Sequence, residues 1–145
     1  MINGVKIIKK SLFKDERGEV MHIMKLNDEN FIKFGEVYCS TINPGIVKGW
    51  NLHKKTTINY SLVRGTIKFV LFDSREKSST FKQKQEIILS LSNYVSVSVP
   101  PLIWNAFQCL GSKKAYIINY TDYPYSKTEV VKMDPYEKEI INYKW

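Results

Sequence analysis

Ile58-Asn-Tyr-Ser-Leu-Val-Arg-Gly-Thr-Ile-Lys-Phe-Val-Leu-Phe72 decides the fold class. Two short runs rich in β-branched and aromatic residues flank Arg64-Gly65, and the first alternates apolar with polar side chains, as a strand with one buried face does. A glycine at the junction gives the backbone the freedom that a turn requires. The same reading extends outward to Glu86-Ile-Ile-Leu-Ser-Leu91, Tyr94-Val-Ser-Val-Ser-Val99 and Ala115-Tyr-Ile-Ile-Asn-Tyr120. Turn signals punctuate the runs at Asn43-Pro-Gly45, Asp73 to Ser79, Ser92-Asn93, Pro100-Pro101 and Gly111 to Lys114. Short strands at regular spacing predict an all-β sandwich or barrel. Helix is confined to one candidate turn, Asp134-Pro-Tyr-Glu-Lys-Glu139, with Asp134 as N-cap and Pro135 at the first helical position.

Composition agrees with a single globular domain over residues 1–145, being 43% hydrophobic and 25% charged with only seven glycines. Nine tyrosines within 13% aromatics lean towards β structure. The N-terminal decapeptide has no small-residue cleavage site, and no segment approaches 18 uninterrupted apolar residues, so the expectation is a cytoplasmic chain with no membrane partner. Cys39 and Cys109 lack zinc or redox spacing and are expected to be buried free thiols in a reducing compartment. The net charge of +8 raises the question of nucleic acid. Its lysines are scattered in pairs, Lys9-Lys10, Lys54-Lys55 and Lys113-Lys114, rather than gathered in a basic run or helix. That pattern predicts solvated charge and no nucleic-acid partner, while a local cluster would suit a small anion.

Seven local patterns, in order along the chain, resemble those of the dTDP-4-dehydrorhamnose 3,5-epimerases. Phe13-Lys-Asp-Glu-Arg-Gly18 resembles their D-x-R-G segment, and Val47-Lys-Gly-Trp-Asn-Leu-His53 their R-G-L-H-x-Q strand. Arg64-Gly65 with Phe72-Asp-Ser-Arg-Glu-Lys-Ser-Ser-Thr-Phe81 resembles the R-G turn and D-L-R-x-x-S-P-T-F loop. Val99-Pro-Pro-Leu-Ile-Trp-Asn-Ala-Phe107 is similar to I-P-x-G-x-x-H-G-F, and Asn119-Tyr-Thr-Asp-Tyr-Pro-Tyr125 to Y-x-x-T-x-x-Y. Lys132-Met-Asp-Pro135 and Ile141-Asn-Tyr-Lys-Trp145 resemble W-N-D-P and the closing I-x-W. The resemblance implies a jelly-roll cupin, commonly a homodimer, acting on nucleotide-linked 4-keto-6-deoxy sugars in the synthesis of cell-surface polysaccharides.

The chemistry of such an enzyme needs a base to remove a proton next to the ketone at C3 or C5 and an acid to return it on the opposite face. In the family a histidine oriented by an aspartate is the base, a tyrosine is the acid, and a cation, usually lysine, meets the developing enolate charge. This chain departs from that pattern. Asn51 stands at the histidine, Asn119 at the tyrosine, Asn105 at a further pocket histidine and Ile58 at the lysine. An amide takes up no proton at neutral pH. The resemblance retains Asp134 in the D-P motif, Tyr125 as a second pocket tyrosine, Arg17 and Lys48 at arginines that hold the diphosphate, and places His22 where a pocket glutamate is common. His53 is the remaining candidate base, two residues after Asn51 and so on the same face of an ideal strand. Related sugar-nucleotide 3,4-ketoisomerases carry H-x-H-K here, and Asn51-Leu-His-Lys54 keeps the second histidine and the lysine.

The candidate catalytic residues are therefore His53, Tyr125 and Asp134, with Arg17, His22, Lys48, Asn51, Lys54, Asn105 and Asn119 as candidates for holding substrate. Plainer readings stand beside them. His53 suits a half-exposed strand, Arg17 is placed to pair with Asp15 or Glu16, Tyr125 to cap the core beside Pro124, and Asp73 and Arg75 to build a loop. Many cupins hold a metal with three histidines and a glutamate, of which this chain has only His53, so neither metal nor other cofactor is expected. Three activities follow: a rearranged epimerase or isomerase of a dTDP-linked or other NDP-linked 4-keto-6-deoxy sugar, a 3,4-ketoisomerase, or a silent cupin that binds a nucleotide sugar or glycan. A structural or regulatory partner of a polysaccharide enzyme is the remaining class.

Overall fold

The computed structural model describes all 145 residues as strands, turns and loops, with no helix. The strands are β1 (Lys6–Lys9), β2 (Leu12–Asp15), β3 (Gly18–Met21), β4 (Glu36–Ile42), β5 (Val47–His53), β6 (Ile58–Arg64), β7 (Thr66–Asp73), β8 (Lys84–Ser90), β9 (Val95–Val99), β10 (Ile103–Cys109), β11 (Ala115–Thr121) and β12 (Val130–Lys132). Two five-stranded antiparallel sheets, ordered β1-β9-β6-β11-β4 and β12-β5-β10-β7-β8, face one another, and β2 and β3 form a separate hairpin. The all-β sandwich expected from the sequence is what the chain forms.

Alternation explains the layers. Tyr60 and Leu62 of β6, Val97 of β9 and Ile117 of β11 point inward from the first sheet, meeting Ile67, Phe69 and Leu71 of β7 and Phe107 of β10 from the second. Burial of such side chains is worth about 2 kcal/mol each and dominates stability. The opposite face of the second sheet is covered by the C-terminal tail: Trp50, Leu52, Trp104 and Ile141 form a second cluster, with Tyr143 and Trp145 packed on it. The predicted helix is absent. Asp134 Oδ1 accepts from the Tyr136 N–H at 2.8 Å, and its carbonyl from the Glu137 N–H at 3.1 Å, closing a turn instead. Cys109 is buried as expected, but Cys39 is exposed. It lies on the outer face of β4, the sheet's edge strand, where little covers it.

A polar knot ties the chain's start to the β7–β8 loop. The buried Asp73 carboxylate accepts from Arg75 Nε at 2.8 Å, Arg75 Nη2 at 2.8 Å, Ser78 Oγ at 2.7 Å and Thr80 Oγ1 at 2.6 Å. Arg75 Nη2 also donates to the Asn3 carbonyl at 2.6 Å. Asp73 and Arg75 thus build a loop and do not face the cavity described below. Burial alone would raise the Asp73 carboxyl, but the Arg75 guanidinium and the two hydroxyls hold it well below the usual carboxylate range. Its contribution to stability is accordingly present above the unfolded pKa and lost as pH falls. Asp73→Ala should cost about 3 kcal/mol in urea denaturation at pH 7, and the deficit should shrink below about pH 4 as the unfolded carboxyl protonates.

One irregularity re-aims β5. Asn51 pairs with Asn105 and Lys48 with Phe107, so Gly49 and Trp50 together oppose Ala106 in a bulge. Gly49 has φ +134, and a Cβ there would lie 2.4 Å from Ala106 Cβ. Only glycine fits. Lys48, which a regular strand would turn to the face opposite Asn51, is thereby brought to the same face. Gly49→Ala should lower stability by about 2–4 kcal/mol through backbone strain and overpacking, read as a drop in thermal midpoint.

Candidate active site

A cavity of about 460 Å³ opens between the sheets at the end where apolar packing gives way to amides and phenols. Its floor is Tyr60, whose hydroxyl donates to Asn105 Oδ1 at 2.9 Å. Asn105 Nδ2 in turn donates to the Asn51 carbonyl at 3.0 Å. Asn105 is 1% exposed and has both ends of its amide engaged, so it lies beneath the cavity and fixes strand β5 and Tyr60. On the facing sheet, Asn119 Nδ2 is held by Ser40 Oγ at 3.0 Å and the Ile117 carbonyl at 3.1 Å. Its Oδ1 is the end left for a ligand.

His53 and Asn51 both line the cavity from β5, and Lys48 joins them through the bulge. His53 is not free. Its Nδ1 lies 2.9 Å from Glu129 Oε2, with the two side chains only 13% and 6% exposed. The other carboxylate oxygen accepts from the Lys55 and Thr56 N–H groups, each at 3.0 Å. Glu129 immediately precedes β12, whose Val130 pairs with His53, so strand pairing sets the contact. Burial acts to raise the Glu129 carboxyl, but hydrogen bonds from Lys55, His53 and Thr56 outweigh it and hold the group below its ordinary value. With Glu129 ionised and accepting from Nδ1–H, Nε2 of His53 carries the lone pair. A carboxylate so placed favours that tautomer, an arrangement chemically able to accept a proton at Nε2.

The remaining sequence candidates divide. Tyr125 borders both the cavity and a small adjoining recess that also contains Tyr38, His53 and Glu129. Arg17 lies on the β2–β3 hairpin, paired with Asp15 at 2.6 Å and outside this cavity. His22 follows the hairpin, packing edge-on against Phe13 with ring centroids 5.7 Å apart. Lys54 follows the end of β5 and donates to the Thr128 carbonyl at 2.7 Å. Asp134 is exposed in its turn, so the carboxylate on the imidazole is Glu129. Sequence reasoning missed Glu129, Tyr38 and Lys132, all of which border this region. Glu129 is 76 residues from His53, and no spacing rule joins them. No cluster of three or more His, Cys, Asp or Glu side chains is placed to hold a metal ion.

The sequence matches the profile of dTDP-4-dehydrorhamnose 3,5-epimerase over residues 1–145. The chain belongs to the dTDP-4-dehydrorhamnose 3,5-epimerase family. Its structure is similar to that of a dTDP sugar isomerase from Desulfovibrio desulfuricans G20, with a TM-score of 0.95 and 31% identity over 99% of this chain and 92% of that one. The spore coat polysaccharide biosynthesis protein SpsL of Bacillus subtilis (strain 168) is 28% identical over 147 residues, covering 100% of this chain and 97% of SpsL. A double mutant of ChmJ, a 3'-monoepimerase from Streptomyces bikiniensis in complex with dTDP, shares the fold at a TM-score of 0.88 and 17% identity, over 99% of this chain and 75% of that one. The jelly-roll expectation therefore holds along the whole chain. No helix is long and apolar enough to cross a membrane.

Within this epimerase-family fold the Glu129 carboxylate has a structural load of its own. Glu129→Ala leaves the buried Thr56 N–H and the partly buried Lys55 N–H without their acceptor and should cost about 3 kcal/mol at pH 7. Because the folded pKa is lowered, the loss should be full above pH 5 and diminish on acidification through the unfolded value, checked by urea denaturation across pH 3 to 7.

Proposed function

We propose that this protein binds a dTDP-linked or other nucleoside-diphosphate-linked 4-keto-6-deoxy sugar and moves a proton at a carbon next to the ketone. The observation that carries the reading is the His53–Glu129 pair at 2.9 Å, a base with its orienting carboxylate on a cavity face where the family's usual histidine is replaced by Asn51. His53 Nε2 takes the proton, and the C–H electron pair passes into the ketone as an enolate. Glu129 is the positioning residue that stabilises the imidazolium. Lys48 and Lys132, from β5 and β12, line the same cavity and suit the diphosphate or the enolate charge. Asn51 and Asn119 act as hydrogen-bonding groups to the sugar and carry no proton. Family membership and the likeness to SpsL support a place in polysaccharide biosynthesis. A cytoplasmic homodimer belongs to the same reading, supported by the exposed Phe13 and Val20 on the β2–β3 hairpin, an apolar surface suited to a second copy.

The loss of both the imidazole and the phenol at positions 51 and 119 favours a second reading, a cupin that binds the nucleotide sugar without turning it over. Proton NMR with dTDP-4-keto-6-deoxyglucose in heavy water separates the two. Exchange at C3 with C5 marks epimerase chemistry, C3 alone with a 3-keto product marks a ketoisomerase, and unchanged signals with dTDP binding retained mark the silent cupin. His53→Ala should abolish exchange, while Glu129→Gln should slow it by about 10²–10⁴-fold and leave KM within about threefold. Exchange that survives His53→Ala would remove the proposed base.

A further inference from the structure

Inversion at a carbon needs a second proton carrier, and the family's position for it holds Asn119, which cannot serve. The geometry points to Tyr38 as that donor: its side chain faces the cavity from β4, directly across from Asn119, and its hydroxyl engages no protein partner. The inference rests on the reading of His53 as the base.

Tyr38 and Tyr125 both border the main cavity and the recess, and a free hydroxyl and placement on a strand separate Tyr38 from the other cavity phenols. Tyr60 is buried and its hydroxyl is committed to Asn105. Tyr125 is highly exposed on the loop after β11, where no strand fixes its position. Tyr38 stands on a strand, 40% exposed, and borders both the main cavity and the recess containing His53 and Glu129. Strand placement holds a reacting group more closely than a loop does. His53 belongs to the second sheet and Tyr38 to the first, so a sugar bound between them meets the base on one face and the phenol on the other. Burial, with the Glu36 and Glu129 carboxylates, pushes the Tyr38 phenol up to about 12, so it keeps its proton through the neutral range.

The step closes as follows. His53 Nε2 removes the proton and the pair enters the enolate. The Tyr38 O–H then delivers its proton to the same carbon from the other face, as the enolate pair forms the new C–H bond and the ketone is restored. Water reprotonates the phenolate and takes the proton from the imidazolium, so the net change is inversion with one solvent proton incorporated.

Tyr38→Phe keeps the ring and removes a hydroxyl with no protein partner, so the variant folds. With dTDP-4-keto-6-deoxyglucose in heavy water, exchange and inverted product are followed separately for the unmodified protein and for Tyr38→Phe, Tyr125→Phe and His53→Ala. Tyr38→Phe should slow inversion by about 100-fold or more while slowing exchange by less than about tenfold. Equal slowing of both, inversion at the normal rate, or the same uncoupling in Tyr125→Phe alone would overturn the assignment of Tyr38 and leave His53 standing. An unmodified protein that exchanges no proton, or one whose exchange survives His53→Ala, would overturn the base and Tyr38 with it.

Discussion

A carboxylate that is nearly out of water must be paired, and Glu129 is paired with three donors at once. One oxygen takes two consecutive backbone N–H groups just beyond β5, and the other takes the imidazole at the end of that strand. Because Lys54 N–H also donates to the Glu129 carbonyl at 3.1 Å, residues 53 to 56 are tied to one glutamate by backbone and side chain together. The pairing of β12 with β5 brings Glu129 to this place, and the contact then fixes the orientation of His53 and the shape of the recess beside it. Little in the site can move independently of it.

The rest of the cavity follows from the way the sheets are filled. At one end facing residues are aliphatic and aromatic and the space between the layers closes, with Phe69 and Phe107 stacked at a centroid distance of 5.0 Å. Towards the other end the inward positions turn to Asn51, Asn105, Tyr60 and Asn119. Buried amides must satisfy their own hydrogen bonds: Asn105 joins Tyr60 of the facing sheet to the Asn51 carbonyl of the neighbouring strand, and Asn119 donates to Ser40 on the strand beside it. Such a lining is stiff and polar but holds no group that changes charge near neutral pH. The one imidazole lining the cavity is His53, at the corner beside Glu129.

How far the sequence revealed this varies with the physics. β6 and β9 are legible because apolar and small polar side chains alternate along them, although both faces are covered: Asn59, Ser61, Ser96 and Ser98 are buried along with the apolar residues between them. β10 is equally buried, but Ile103 to Phe107 carries no such polar period and is not legible as a strand. Cys39 was placed inside because cysteine usually is, yet an edge strand leaves its outer face open. His53 was legible from its two-residue offset to Asn51. Lys48 could be assigned only by resemblance, since the bulge at Gly49 that turns it inward depends on a close approach to Ala106 that no local pattern encodes. Glu129 was illegible for a different reason. Its partner is fixed by pairing β12 with β5, a long-range choice, and in sequence it is one glutamate among surface charges.

The offset that made His53 legible also constrains the ligand. Two residues along a strand correspond to about 6.6 Å, a distance longer than the separation of any two carbons in a six-membered sugar ring. A sugar posed for a base at position 51 must therefore shift or turn to present an acidic carbon to a base at position 53. On the proposed reading the reacting carbon lies nearer the recess that Glu129, Tyr38 and Tyr125 line, while β12 flanks positions 51 and 53 alike. The vacated end is the one where Asn51 and Lys48 now stand, and amide and ammonium there suit hydroxyl and phosphate oxygens rather than a reacting carbon. On the proposed reading, Asn51 in the histidine's place and the pairing of His53 with a buried glutamate are two sides of one displacement of the reaction centre.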